Sequence, residues 1–153
     1  MSSQKTADNE KSMQRIGLEC LGFNVRKTAR VLAKAFDEAL APCGLKNTQF
    51  SILVGLHVRG PVNVQAFSDL LKMDRSTLTR NLGPLERQGL ICITTGSDRR
   101  SRTITLTDVG EELVQQAVPL WQQLQQRLVN GLGSDQADQL RKTLRALTKV
   151  ASS

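Results

Sequence analysis

The chain has 153 residues, of which 39% are hydrophobic and 23% are charged, and its formal net charge at pH 7 is +7. This length and composition exclude an intrinsically disordered chain and fit a single folded domain with a sizeable core. The excess of cations favours a polyanionic partner, either nucleic acid or an anionic membrane surface.

The N-terminal stretch is polar and predicts a flexible tail over residues 1–12. It contains no apolar segment of the kind found in secretory signal peptides, and apolar runs such as residues 52–56 are far too short to cross a bilayer. We therefore expect a cytoplasmic protein without membrane contact. In that reducing compartment Cys20, Cys43 and Cys92, which show no CxxC spacing, should remain thiols.

Two amphipathic helices are predicted in the first part of the chain. One covers residues 16–40 and ends where Pro42 and Gly44 oppose its continuation, and the other covers residues 47–58 and ends at the Gly-Pro pair 60–61. As the single histidine, His57 is expected to pack at the surface edge, so we expect no metal site and no cofactor. The apolar residues at helical spacing are Leu21, Val25, Leu32, Phe36 and Leu40, then Phe50, Leu53 and Val54 with His57.

A helix-turn-helix is predicted next. Asn63 caps a short helix, the chain turns at Lys72 and Met73, and Asp74 is suited to cap a second helix because its carboxylate can accept the free amide protons of the first turn. The side chains predicted to face inward are Val64, Phe67, Leu70 and Leu71 in the first helix and Leu78, Leu82 and Leu85 in the second. The opposite, polar face of the second helix carries Arg75, Ser76, Thr79, Arg80 and Arg87.

A β-hairpin is predicted after the helix stop at Gly89, because the β-branched runs LICITT and RTITLT are joined by the turn sequence GSDRRS. Helix, turn, helix and hairpin is the order of a winged helix-turn-helix. Residues 72–102 hold seven cations and three carboxylates, so four of the seven net charges lie here. A polar helix face fits the major groove of B-DNA, and arginines at a hairpin tip can reach the minor groove.

The last third of the chain predicts two more helices. Thr107 caps the first of them, the sequence NGLGSD breaks the chain, and Ser134 caps the second. Pro119 should kink the first, just as Pro84 should bend the second helix of the helix-turn-helix. The apolar stripes are Leu113, Val114, Ala117, Leu120, Trp121, Leu124 and Leu128, then Ala137, Leu140, Leu144 and Leu147. The whole pattern predicts a mainly α fold with a small β-hairpin (α+β).

The sequence resembles the MarR family of bacterial transcription regulators from about residue 18 to residue 150. The resemblance is carried by LLKMDRSTLTRNLGPLERQGLI, by SDRRSRTITLTDVGEEL and by GLKNTQFSILVGL, which together give a helix-turn-helix, a wing with DRR and the LTxxG start of the next helix. Lys46 stands where the family usually has a threonine cap, so we expect Asn47 to take over the capping.

The resemblance also implies which residues bind DNA. The first turns of the recognition helix enter the major groove in such proteins, and the wing places an arginine, here Arg100, in the minor groove. Asp98 would hold that guanidinium by a charge-assisted pair, and Arg99 would contact phosphate or support the wing. The predicted DNA-binding residues are Arg75, Ser76, Thr77, Thr79, Arg80, Asp98, Arg99, Arg100 and Arg102.

The resemblance further implies a homodimer. Residues 13–42 and 107–153 would form a helical dimerisation region and residues 45–106 a winged helix-turn-helix DNA-binding region. Such a dimer would repress transcription from a pseudo-palindromic operator in double-stranded DNA and be released by a small, aromatic or phenolic effector, whose pocket Phe23 or Trp121 could line.

Other functions stay open at this point. Cys20 lies roughly where hydroperoxide-sensing members of the family keep a reactive thiol, which would make the protein a redox-sensing regulator. The basic charge alone would also fit a sequence-tolerant, architectural DNA binder. A thiol-based enzyme would need a base beside the cysteine, and nothing in the sequence marks His57 as that base, so we expect no enzymatic activity.

Overall fold

We describe a computed structural model of the chain over residue 13, residues 15–95 and residues 102–152. Six helices follow a helical segment at residues 15–19: α1 Leu21–Leu40, α2 Asn47–Arg59, α3 Val64–Leu71, α4 Arg75–Arg87, α5 Asp108–Leu132 and α6 Ser134–Ala151. A 3-10 helix, Ala41–Cys43, joins α1 to α2. The strands are β1 Val62–Asn63, β2 Ile91–Thr95 and β3 Arg102–Leu106.

The three strands form one antiparallel sheet in the order β1-β3-β2. The predicted hairpin is confirmed, with Ile91 opposite Leu106 at its base. The sequence did not predict β1, which places Val62 opposite Ile104. Two residues are too few to show an alternating pattern, so only the partner strand reveals this one.

The core lies between α2, the helix-turn-helix, the sheet and the first half of α5. The predicted buried leucines of α4, Leu78, Leu82 and Leu85, are all buried. Leu70, predicted to face inward, is instead 52% exposed. The buried positions of α3 follow the steps 64, 67 and 68, and position 70 falls outside that stripe, on the flank of the helix.

The sequence predicts one continuous N-terminal helix from residue 16, but the helix is interrupted at Cys20. Cys20 has an extended backbone and acts as the N-cap of α1, where its Sγ accepts a hydrogen bond from the Phe23 amide at 3.4 Å. The side-chain amide of Asn24 donates to the carbonyl oxygens of Leu18 and Cys20, both at 3.1 Å. The Cys20 carbonyl also accepts the backbone amide of Asn24 at 3.1 Å, so Asn24 bonds to both sides of the interruption.

Two predicted caps are confirmed by hydrogen bonds. Asn63 Oδ1 accepts from the Gln65 amide at 2.8 Å at the start of α3. Thr107 Oγ1 accepts from the Gly110 amide at 3.1 Å at the start of α5.

Two other capping predictions are corrected. Asp74 does occupy the N-cap of α4, but its side chain makes no capping hydrogen bond. Ser134 is the first residue of α6, and Gly133 is its N-cap, so that prediction was wrong by one position. Gly133 takes a φ of 85°, which a residue with a Cβ adopts at a cost, and this places the chain break ahead of the serine.

The start of α2 also differs from the prediction. Asn47 is its first residue rather than its cap, and its amide donates to Asp37 Oδ1 at 2.7 Å. The Lys46 ammonium lies 3.6 Å from Asp37 Oδ2, and the Lys46 amide donates to Gln49 Oε1 at 2.9 Å. A carboxylate on α1 thus replaces the local side-chain cap of α2.

Both prolines lie inside helices that remain helical on either side of them, Pro84 in α4 and Pro119 in α5. Each lacks the amide proton that would reach the carbonyl four residues earlier. The predicted bends therefore stay predictions. Within the described ranges, no helix combines the length and the apolar character needed to cross a bilayer.

Candidate DNA-binding surface

Helix α4 presents one apolar and one polar face. Its leucines are buried, whereas Arg75, Ser76, Thr79 and Arg80 are all exposed. Residues four apart lie one turn above each other, so 75 with 79 and 76 with 80 make one continuous surface at the N-terminal half of the helix. Four of the five predicted recognition-helix residues therefore share one face.

The threonines Thr77 and Thr79 of α4 differ in exposure and in hydrogen bonding. Thr79 Oγ1 donates to the Arg75 carbonyl at 2.8 Å, which leaves its lone pairs facing solvent as acceptors. Thr77, predicted to contact DNA, is half-buried, and its carbonyl accepts from the Asn81 side-chain amide at 2.9 Å. Thr77 therefore lies at the flank of the polar face rather than at its centre.

The guanidinium groups of this surface are free to bind an external acceptor. In the part of the chain that the structure describes, Arg75, Arg80 and Arg87 are exposed and make no ion pair or side-chain hydrogen bond. Each guanidinium carries five N–H donors in a planar fork, a shape that matches phosphate oxygens and the O6 and N7 acceptors of guanine.

The wing is described only at its base. Arg102 is exposed at the first position of β3, opposite Thr95. The other three predicted wing residues, Asp98, Arg99 and Arg100, lie outside the described residues, so their pairing and their contact with DNA stay predictions.

The wing and α5 are both tied to the end of α4. Gly89 takes a left-handed φ of 70°, as predicted for a helix stop, and the Leu90 amide donates to the Leu85 carbonyl at 3.0 Å. Thr107 binds the same segment, residues 89 and 90. Its Oγ1 donates to the Gly89 carbonyl at 2.6 Å and its amide donates to the Leu90 carbonyl at 3.1 Å. The recognition helix and the start of α5 are therefore held to each other through two backbone carbonyls.

Gly110 completes this junction. A Cβ at this position would overlap the Leu90 carbonyl oxygen and lie 2.7 Å from Leu106 Cδ1. The threonine and glycine of the LTxxG sequence therefore have separate physical roles, one as a cap and a tether and the other as the point of closest backbone approach.

His57 and Glu111 form a second connection between α2 and α5. His57 Nδ1 lies 2.8 Å from Glu111 Oε2, and both side chains are partly exposed. The hydrogen bond from His57 lowers the pKa of Glu111 below its ordinary value, burial opposes this shift, and a hydrogen bond from Gln115 supports it. His57 lies at the surface, as predicted, but its pairing with Glu111 was not predicted. The sequence could not show this, because 54 residues separate the partners.

The cysteines form no cluster that would suggest a reaction. Cys20 is half-buried at the start of α1, Cys43 is half-buried and Cys92 is exposed, and all three are free thiols. Over the described ranges, no group of histidine, cysteine and carboxylate side chains has the arrangement of a metal site. Redox sensing through Cys20 stays a prediction.

Comparison with known proteins identifies the family. A model of the MarR family matches residues 45–101, which begin just before α2. The structure superposes on the Mycobacterium tuberculosis transcriptional regulator MosR in complex with DNA with a TM-score of 0.80, at 35% identity over 88% of this chain and 97% of that chain. The chain belongs to the MarR family. This confirms the predicted fold, a mainly helical winged helix-turn-helix, and the structure adds a third strand, β1, to the predicted hairpin.

Two further relatives agree. The transcriptional repressor CouR, solved with a 23-mer DNA duplex, gives a TM-score of 0.78 at 30% identity over 87% of this chain and 95% of that chain. The Bacillus subtilis protein YwoH, an uncharacterized HTH-type transcriptional regulator, is 32% identical over 88 residues, which span 58% of this chain and 64% of YwoH. Membership in a family of transcriptional regulators also confirms the prediction that the chain is not an enzyme.

Proposed function

We propose that the protein is a sequence-specific regulator, acting as a repressor, that binds a pseudo-palindromic operator in double-stranded DNA as a homodimer. The observation that carries this proposal is the polar face of α4, where Arg75 and Arg80 are exposed beside Ser76 and Thr79 and form no ion pair with a described residue. The DNA complexes of MosR and CouR support it, because both relatives share the fold at 30% identity or more.

The side chains of α4 suit the major groove. Arginine can bind guanine O6 and N7 with two parallel hydrogen bonds, and hydroxyl groups can bind the edges of any base. The wing would add minor-groove contact through Arg100, oriented by Asp98, while Arg99 and Arg102 would contact phosphates. Affinity would then come largely from the cations, and sequence choice from the helix and the Arg100 contact.

Exposed apolar surface on the terminal helices supports the homodimer. Every residue from 21 to 31 of α1 is exposed, and α6 buries only Ala137 among its described residues. An apolar stretch of helix that no described residue covers needs a partner surface. The exposed apolar side chains are Leu21, Phe23, Val25 and Val31 in α1 and Leu140, Leu144 and Val150 in α6.

A cavity of about 550 Å³ supports the effector. It lies between α2, α3 and α5 and includes Trp121, whereas Phe23, the other aromatic side chain considered, is not part of its lining. Arg59 is the charged group in the wall, so the cavity suits a small aromatic or phenolic compound with an acidic group. The apolar lining consists of Phe50, Val54, Val58, Leu70 and Trp121. A regulator with this function would act in the cytoplasm, where the chromosome lies.

Selection of binding sites from a random pool of duplex DNA tests the function. We expect enrichment of one pseudo-palindrome with half-site centres about 10 base pairs, or about 34 Å, apart, as two recognition helices related by a two-fold axis require. Retention of the pool without enrichment would instead indicate an architectural DNA binder.

The effector is tested by fluorescence. Trp121 is the only tryptophan of the chain, so its emission reports on the cavity without a label. We expect saturable quenching by aromatic acids, together with release of operator DNA at the same concentrations. Quenching of Trp121 emission without release of operator DNA would show that binding in this cavity does not regulate DNA binding.

A further inference from the structure

Lys72, in the turn between α3 and α4, has an unusual backbone conformation. Its φ of 52° and ψ of 39° are left-handed, and among the described residues it is the only non-glycine with a positive φ. Every other such position in the described ranges is a glycine: Gly44, Gly60, Gly89 and Gly133. The turn is closed by hydrogen bonds from the Lys72 amide to the Asp69 carbonyl at 3.3 Å and from the Met73 amide to the Ser68 carbonyl at 3.0 Å.

A left-handed conformation is unfavourable for lysine because its Cβ crowds the following carbonyl oxygen. Glycine would form the same turn without that crowding. The chain therefore keeps a side chain at a position where its backbone would be more relaxed without one. A strained residue at a functional site points to a role for that side chain.

The ammonium of Lys72 also has no counter-ion among the described residues. Lys72 is exposed and makes no ion pair with any described residue, although Asp69 and Asp74 are close in sequence. Asp69 Oδ1 instead accepts from the Gln65 side chain at 3.1 Å. Lys72 precedes by three residues Arg75, the first residue of the polar face of α4.

We infer that Lys72 binds a phosphate of the DNA backbone at the edge of the major groove and so positions the N-terminal end of α4. In a helix-turn-helix the second helix lies in the groove while the first crosses the backbone, which places the turn between them beside a phosphate strand. The ammonium of lysine is a point charge suited to one phosphate. Hydrogen bonding to a base edge favours the planar set of donors of an arginine guanidinium. This inference rests on the proposed function.

Three substitutions separate the charge of Lys72 from its conformation. Lys72→Gln keeps a long side chain and the strained backbone without the charge, Lys72→Gly removes both the strain and the charge, and Lys72→Arg keeps the charge. Binding of each variant to operator and to random duplex is measured between 50 and 200 mM salt. The slope of log K against log salt should fall by about 0.9 for each phosphate that the protein no longer neutralises, or about 1.8 for a dimer.

We expect the Gln and Gly variants to show the same reduced slope on both duplexes and the Arg variant to keep the wild-type slope. When the salt is raised from 50 to 200 mM, the wild type and the uncharged variants both lose affinity for DNA. The fold loss of the uncharged variants should be about ten times smaller than the fold loss of the wild type. Lys72→Gly should also unfold at a higher temperature than Lys72→Gln, because only the glycine relieves the left-handed strain.

Gly44→Lys provides the matched control. Gly44 is also left-handed, with a φ of 66° and open space around its missing Cβ, but it lies in the turn before α2. This variant should leave the salt slope unchanged. An equal change of slope from Gly44→Lys would show that position does not matter and would overturn the inference.

Two further results would also overturn the inference: an unchanged slope in Lys72→Gln when Arg80→Gln lowers it, or a reduced slope confined to the operator. In both cases the proposed function would survive. If the wild-type chain itself retained no duplex from the random pool, the proposed function would fail first.

Discussion

Gly110 in α5 lies directly against the carbonyl group of Leu90, with no space for a Cβ between them. The same carbonyl oxygen accepts the Thr107 amide at 3.1 Å, so a helix start and a strand start meet at one backbone group. Leu90 itself is buried and follows the stop of α4 at Gly89. A single glycine therefore sets how closely α5 approaches the end of the recognition helix.

Gly110→Ala should destabilise the protein by about 1–3 kcal/mol, because the new methyl group must displace backbone rather than a flexible side chain. Urea unfolding followed by circular dichroism measures this loss. Gly131→Ala is the control in the same helix, since its Cβ would meet nothing within 4 Å. That change should be neutral or stabilising by up to about 1 kcal/mol. Equal effects at the two positions would contradict the close contact.

The pair of His57 and Glu111 should make stability depend on acid pH. The hydrogen bond from His57 lowers the pKa of Glu111 below its ordinary value of 4.5, so the folded protein binds a proton there less readily than the unfolded chain does. The stabilising contribution is thus complete above pH 4.5 and is lost as the pH falls through the folded-state pKa. Glu111→Gln should flatten this part of the stability profile.

Unfolding in urea at several pH values between 7 and 3 measures that profile. The control is Glu112→Gln, because Glu112 is the neighbouring exposed carboxylate and makes no side-chain hydrogen bond or ion pair with any described residue. The variant at 112 should keep the wild-type slope below pH 4.5. A wild-type profile that already matches that of Glu111→Gln would rule out a native interaction at Glu111.

Asp37 should act as a remote cap of α2. Asp37→Ala removes the acceptor of the Asn47 amide and should cost about 1 kcal/mol, as removal of a local cap does. Lys46→Gln tests the ion pair alone, whose atoms are 3.6 Å apart and partly exposed, and should change stability by less than about 0.5 kcal/mol. Thermal unfolding of both variants separates the two interactions, and a larger effect at Lys46 would assign the stabilisation to charge instead.

Val31→Glu should prevent self-association without unfolding the single chain. Val31 is 64% exposed in α1, so a carboxylate there meets water in the monomer and an apolar surface in the proposed dimer. Sedimentation should give a mass near 16.8 kDa for this variant and twice that for the wild type. Val58→Glu, at a residue 78% exposed but outside the terminal helices, is the control and should still sediment as a dimer.

Local signals in the sequence predicted most of the fold and much of the candidate site. Caps such as Asn63 and Thr107, the stop at Gly89 and the leucine spacing of α4 each act within a few residues, so the sequence displays them directly. The same spacing correctly placed Arg75 and Arg80 on the polar face.

Several of the missing predictions involve partners that are distant in sequence, whereas the errors at Asp74 and Ser134 are local. The cap of α2 comes from Asp37, ten residues before Asn47. The hydrogen-bond partner of His57 is Glu111, which lies 54 residues later in the sequence. The short strand β1 exists only because β3 passes beside it. Tertiary packing decides such contacts, and a pattern within one segment carries no record of them.

The attachment at Gly89 and Leu90 makes α4 a lever. The fixed point lies at the C-terminal end of the helix, whereas the side chains proposed to contact bases lie at the other end. Thirteen residues give α4 a length of about 20 Å. A rotation of α5 by about 5° that carries α4 with it would sweep the Arg75 end through nearly 2 Å, roughly the difference between a good hydrogen bond and none.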